Sequence, residues 1–164
     1  MYEIDKIDRL TVELLMEDGR MRAAEIARRI GGISERVVRY RIERMVADGV
    51  IQIRPIVSPQ AFDLTTRADI LLEVESSAVM DVARKATEYE CVSYVACSIG
   101  AMDISIQVVG KDTAEIYSFV TGTIGKIPGV RKTTISIVPI VLKDVYQWSI
   151  PGSTVQARNA GRTD

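Results

Sequence analysis

Residues 26–51 read IARRIGGISERVVRYRIERMVADGVI, and the pattern predicts two short helices joined by a glycine turn. Ser34 can cap the free N–H groups of the second helix, which then carries Val38, Ile42 and Met45 at helical spacing, so one of its faces is core. The other face presents Arg36, Arg39, Tyr40 and Arg44 with Glu35 and Glu43 among them. Two helices, a tight turn and a basic second helix are the parts of a helix-turn-helix reader of DNA.

Working outward, residues 4–18 form a further helix with Ile7, Leu10 and Leu14 on one stripe and Asp5 as its cap. It is expected to stop at Asp18-Gly19, where a glycine can take the left-handed conformation. Residues 22–30 follow as the first helix of the pair, with Ala23, Ile26, Ala27 and Ile30 at i, i+3, i+4 and i+7. Gly49 ends the recognition helix near Asp48, and 50–57 alternates as a strand or two-stranded wing, confined by Pro55 to an edge. The domain boundary falls at about residue 60, so that 1–60 form the DNA-binding domain and 61–150 a second one.

In that second domain the pattern reads strand 68–75, helix 77–89, strand 91–99, strand 102–109, helix 112–127 and strand 130–141. The order β-α-β-β-α-β predicts a four-stranded antiparallel sheet with both helices on one face, the ferredoxin-like arrangement; the fold class is α+β. The uncovered face would carry Ser93, Val95, Cys97, Thr134, Ser136 and Val138 or their alternates, and a second copy of the chain is its simplest cover. Residues 151–164 are rich in Gly, Ser, Thr, Arg and Asn and read as a loose tail.

Composition narrows the function classes. The chain has 164 residues, 47% of them hydrophobic, and a net charge of −1; its mean hydropathy is +0.10. No apolar run approaches the roughly 20 residues of a spanning helix, and the start MYEIDKIDRL is charged where a signal peptide would be apolar, which makes the cytoplasm the default. Cys91 and Cys97 lack metal-ligand spacing and read as small core residues. The near-neutral total hides a concentration of charge, because residues 20–44 hold eight Arg against three Glu. Such a patch is either a phosphate-binding face or a solvated face laced with ion pairs.

In order and spacing, several short marks resemble the Lrp/AsnC family of bacterial and archaeal transcription regulators, from Ile4 to about Lys143. In the first domain they are Ile4-Asp5 with Asp8, Asp18-Gly19-Arg20, Glu25-Ile26-Ala27, Ser34 with Val38, Arg41, Ile42 and Met45, and Gly49-Val50-Ile51. In the second they are Gly100 to Asp103, where the family usually has Gly-x-Tyr-Asp, and Pro128-Gly129-Val130. The resemblance implies a winged helix-turn-helix joined to a ligand-sensing ferredoxin-like domain that dimerises through its sheets, with dimers assembling into tetramers or octamers. It also implies a small effector, usually an amino acid, bound where dimers meet. Two departures stand out: Gly31-Gly32 lengthens the turn by one residue, and Met102 replaces the usual Tyr with a softer, apolar wall.

Each candidate residue has a plainer alternative. Arg36, Arg39 and Tyr40 are candidates for base edges or adjacent phosphates, since an Arg can fork onto guanine O6 and N7 and a Tyr hydroxyl can reach phosphate; Glu35 lies among them. Arg44 serves a phosphate or pairs with Glu43 or Asp48, and Arg41, beside the core stripe, is either structural or part of the charged face. Arg20 and Arg22 touch backbone phosphates or are simply solvated, and Ser34 is a cap that can add a phosphate contact. Gly100, Ala101, Met102 and Asp103 form either a hairpin turn or the effector turn. Thr134 and Ser136 either line the same pocket or are polar residues of the sheet face.

Catalysis has little to stand on. A related group with the same two-domain plan decarboxylates tetrapyrroles with the help of histidine, and this chain has none. It also lacks a nucleophile and base pair, a phosphate-cradling loop and a metal-ligand cluster, so no catalytic residue, cofactor or metal is expected. An architectural DNA-packing protein keeps the fold but drops specificity; footprinting separates it from a regulator.

Overall fold

The computed structural model describes residues 2–151. Two compact units form: Val57–Leu142 is one, and the chain before it makes the other together with the segment from Lys143. The tail expected over 151–164 lies, from residue 152 on, outside the described residues.

The first unit is built on α1 (Lys6–Glu17), α2 (Ala23–Ile30) and α3 (Glu35–Ala47). Asp5 caps α1 through a reciprocal pair in which the Asp8 N–H donates to its carboxylate at 2.8 Å and its own N–H donates to Asp8 at 3.0 Å. The positions of α1 that bury most fully are not the aliphatic stripe but Asp8 and Thr11, and the Thr11 hydroxyl meets its need locally by donating to the Ile7 carbonyl at 2.8 Å. The chain leaves α1 at Asp18 as expected, yet Gly19 is not among the glycines with positive φ. Asp18 itself turns extended, and its side chain and carbonyl accept from the Arg20 and Met21 N–H groups at 2.8 and 2.9 Å, which closes the turn without a left-handed residue.

Between α2 and α3 the chain reverses through Gly31 and Gly32, with φ of 72° and 71°. Two successive residues of that sign would strain most side chains, so the glycine pair makes this turn possible. Ser34 then starts α3, accepting from the Val37 N–H at 3.3 Å. Ile26, Ala27 and Val38 form the centre of the small core, with Leu14, Leu15, Met21, Ala23, Ile30, Ile33 and Ile42 around it. The alanines let α2 and α3 approach closely. At its end α3 closes in a Schellman motif, the Val50 N–H donating to the Met45 carbonyl at 2.8 Å and the Gly49 N–H to Val46 at 3.1 Å.

Residues 50–57 form no strand, contrary to expectation. Pro55 lacks an N–H, and no described segment supplies a partner row of donors and acceptors.

The second unit carries β1 (Thr66–Val74), α4 (Val79–Ala86), β2 (Val92–Cys97), β3 (Ile104–Gly110), α5 (Thr113–Gly122) and β4 (Val130–Ile137). The strands are ordered β2-β3-β1-β4 and all pairings are antiparallel, the ferredoxin-like sheet. Alternation does what it should: Ala68, Ile70, Leu72 and Val74 of β1 and Ile104, Ile106 and Val108 of β3 turn inward and meet Val82, Ala83 and Ala86 of α4 and Ile116 and Val120 of α5. Tyr89 and Phe119 add an edge-to-face ring pair at 5.3 Å.

Element ends shift for local reasons. β4 stops at Ile137, two residues before Pro139, which cannot donate to a ladder. α5 gives way after Gly122 to a 3-10 turn at Ile124–Lys126 that still buries Ile124. On β2 the uncovered face takes the alternate set of residues. A bulge between Val92 and Tyr94 changes the phase of β2, so Val92 and Val95 pack on the core. Tyr94 and Ala96 fall in line with Gln107 and Ser105, on the face that also holds Asp69, Leu71, Thr134 and Ser136. Cys97 is exposed and Cys91 half-buried, and both are free thiols; burial pushes the Cys91 thiol up from its ordinary pKa.

Candidate nucleic-acid interface and effector turn

On α3 the outer row at i, i+4 and i+8 is Arg36, Tyr40 and Arg44. Tyr40 is 60% exposed, and Val37, beside Arg36, is 39% exposed. The capped first turn fixes where these side chains start.

The structure sorts the arginines into two groups. Arg28 holds Glu25 at 2.6 Å, and Arg29 bridges Glu25 and Glu17 at 3.1 and 2.8 Å. Those bonds, with Arg28 first, hold the Glu25 carboxyl below its usual range. Arg39 pairs with Glu35 one turn back. Arg41 turns inward, and a single nitrogen, Nη1, donates to Asp8 at 2.7 Å and to Asp5 at 2.8 Å. Asp8 is 1% exposed, and it also accepts from the Tyr2 hydroxyl at 3.0 Å. Burial and that bond to Asp8 push the Tyr2 phenol up to about 12. Arg44 lies over the Tyr2 ring at 5.0 Å and within 3.8 Å of Asp48, a cation–π contact.

Of the eight arginines in 20–44, Arg20, Arg22 and Arg36 make no ion pair among the described residues. The positive patch is therefore smaller than a count along the sequence implies. Asp5, Asp8, Glu17 and Asp48, all outside that window, neutralise part of it. Arg36 is left as the free cation on the outer face of α3.

The effector candidates are not gathered in one place by a single chain. Gly100, Ala101 and Met102 lie in the connection from β2 to β3. Asp103 fastens that connection to the end of β1: its N–H donates to the Leu72 carbonyl at 2.9 Å, its carbonyl accepts from Ser98 at 2.8 Å, and its carboxylate accepts from the Val74 N–H at 2.7 Å. Thr134 and Ser136 lie on the uncovered face of β4, opposite Leu71 and Asp69. β1 runs between β3 and β4, so about 10 Å, two interstrand spacings, separates the two groups. A cleft of about 400 Å³ lies elsewhere, between α5 and β4, lined by Thr113, Ala114, Ile116, Tyr117, Ile135 and Ile137. None of these was a site candidate from sequence, where Ile116 reads as core; only the pairing of a helix start with an edge strand creates the cleft. Among the described residues no group of acidic, Cys or His side chains could hold a metal ion, and no helix is long and apolar enough to cross a membrane.

A capped, partly cationic recognition helix in one unit and a ferredoxin-like sheet in the other define a two-domain DNA-binding regulator. Comparison with known proteins gives the family. Residues 4–52 match the winged helix-turn-helix DNA-binding profile and 67–147 the Lrp/AsnC ligand binding domain. An uncharacterised HTH-type transcriptional regulator of Pyrococcus horikoshii is 36% identical over 145 residues, 88% of this chain and 91% of that protein. The HTH-type transcriptional regulator FL11 of Pyrococcus abyssi is 33% identical, covering 90% of this chain and 97% of its own. The chain belongs to the Lrp/AsnC family, whose matched members are transcription regulators and not enzymes. Among solved structures, E. coli AsnC shares the fold with a TM-score of 0.79 at 24% identity, over 88% of this chain and 99% of that one. A Neisseria meningitidis transcriptional regulator, solved as a complex with L-Met, superposes with a TM-score of 0.82 at 24% identity, over 91% and 97%.

Proposed function

We propose that this DNA-binding regulator is cytoplasmic, recognises discrete sites as a dimer or an assembly of dimers, and alters its binding in response to a small effector, an amino acid or related metabolite. The observation that carries the recognition half is Arg36, unpaired beside the exposed Tyr40 on the outer row of α3 while the neighbouring cations are engaged internally. Arg36, Arg39 and Tyr40 reach base edges or adjacent phosphates; Arg20, Arg22 and Arg44 take phosphates; Ser34 and Glu35 set the first turn. Two chains joined through their uncovered sheet faces present two α3 helices to two half-sites about 34–36 Å apart or a multiple of that.

Footprinting of the full-length protein tests this. Discrete protected sites are expected, whereas protection of nearly all DNA identifies an architectural packer. Arg36→Ala should lose about 1–3 kcal/mol of operator affinity with relaxed specificity at one position. Arg39→Ala should lose less, because Arg39 must first give up Glu35. Wild-type affinity in both variants removes this face from consideration.

The effector would sit where dimers meet, at Gly100, Ala101, Met102 and Asp103, with Thr134 and Ser136 reaching the same space only if a neighbouring copy supplies them. The L-Met complex of the Neisseria relative supports the chemical class. Native mass spectrometry with a panel of amino acids should detect a bound amino acid and a changed assembly. A fixed assembly without added mass under every condition rejects an amino-acid effector and favours the architectural or non-amino-acid reading.

A further inference from the structure

On α3, Val38 and Met45 are fully buried and Ile42 packs against the small core, but Val37 stays 39% exposed in the first turn. Its N–H is held by the Ser34 hydroxyl at 3.3 Å and the Ser34 carbonyl at 3.1 Å, so its place on the helix is fixed. Arg36 precedes it and Tyr40 lies one turn on, and both are candidate DNA contacts. Val46 is exposed too, but it sits in the last turn. In helix-turn-helix docking the N-terminal residues of the recognition helix approach the base edges most closely.

We infer that Val37 is a specificity-determining residue that reads a thymine methyl group in the major groove. This rests on the sequence-specific DNA binding proposed above. Valine can neither donate nor accept a hydrogen bond, and its β-branched side chain has one strongly preferred rotamer in a helix. The thymine C5-methyl is the one apolar group that projects from the major-groove edge, since cytosine carries only a hydrogen at that carbon. A valine pressed against guanine, adenine or cytosine leaves an acceptor or an amino group without its water. Against thymine, two apolar surfaces leave water together. Arg36 beside it supplies the charged, forked contact that valine cannot.

The test begins by selecting duplexes from a random library with the full-length protein. Each thymine of the selected site is then replaced, one at a time, by uracil, which removes only the methyl group. One position per half-site should bind wild type more weakly by about fourfold, the worth of one buried methyl. Val37→Ala should bind the thymine duplex weakly and be indifferent to uracil at that position. Arg36→Ala should bind weakly yet keep the uracil penalty. Alanine is the best helix former, so Val37→Ala keeps α3. The inference is overturned if no uracil matters, or if Val37→Ala retains the full penalty. A selection without any consensus sinks the sequence-specific reading and takes this inference with it, whereas a consensus indifferent to uracil sinks the inference alone.

Discussion

Arg41→Ala is expected to destabilise the helix-turn-helix unit by about 3 kcal/mol, the lower end for breaking a buried ion pair. The cost follows from what remains. Asp8, at 1% exposure, keeps the Tyr2 hydroxyl and the Asp5 N–H but loses its counter-charge. The value stays at the lower end because those neutral donors persist and the Arg41 side chain is itself 24% exposed. Arg41→Lys should recover most of the loss, since both carboxylates are served by one nitrogen and an ammonium can stand in its place. Urea denaturation measures the loss, and hydrogen exchange should locate it in α1 and α3. Undiminished protection there would show the pair to be dispensable.

Acid should reveal the same cluster. Burial pushes the Asp5 carboxyl up, but the Asp8 N–H and the Arg41 guanidinium outweigh it and hold the group below its usual range. A carboxylate with a depressed folded value stabilises fully above its unfolded value, about pH 4, and loses that contribution as pH falls through the folded value. Arg41→Ala should therefore blunt this acid-dependent loss.

Local signals in the sequence were legible where the physics is local. Ser34 as a cap, Val38 and Met45 as core, the stop at Gly49 and the β-α-β-β-α-β order all follow from spacing and turn chemistry, and the structure has them. The Arg41–Asp8 pair spans 33 positions, and no periodicity reports such a distance. A charge count over 20–44 could not include Asp5, Asp8 or Glu17, and so overstated the free positive charge. The strand at β2 was legible, but alternation left its facing open between two sets, because one bulged residue between Val92 and Tyr94 reverses which side chains face the helices. Met102 and Thr134 could be named from resemblance but not placed together, because Met102 lies in the β2–β3 connection and β1 separates β3 from β4.

Gly129→Ala should cost about 2–5 kcal/mol in the sheet unit, combining backbone strain with overpacking. Gly129 has a φ of +95°, and a Cβ there would lie 2.4 Å from the Ala78 Cβ, with Val82 and Val74 close behind. Neither side can give. Ala78 opens α4, whose Val82 is fully buried, and the Gly129 carbonyl is tied to the Glu75 N–H at 2.8 Å. Gly122→Ala is the control, because a Cβ at that helix end meets nothing within 4 Å; it should leave the melting temperature unchanged or slightly higher. The two units are separately compact, so Gly129→Ala should spare the exchange protection of α2 and α3 while it loosens β1 and β4. If chains pair through the sheet face, this variant loses operator affinity by losing its dimer, and forced dimerisation restores binding. Arg41→Ala, which damages the reader itself, should gain nothing from the same treatment.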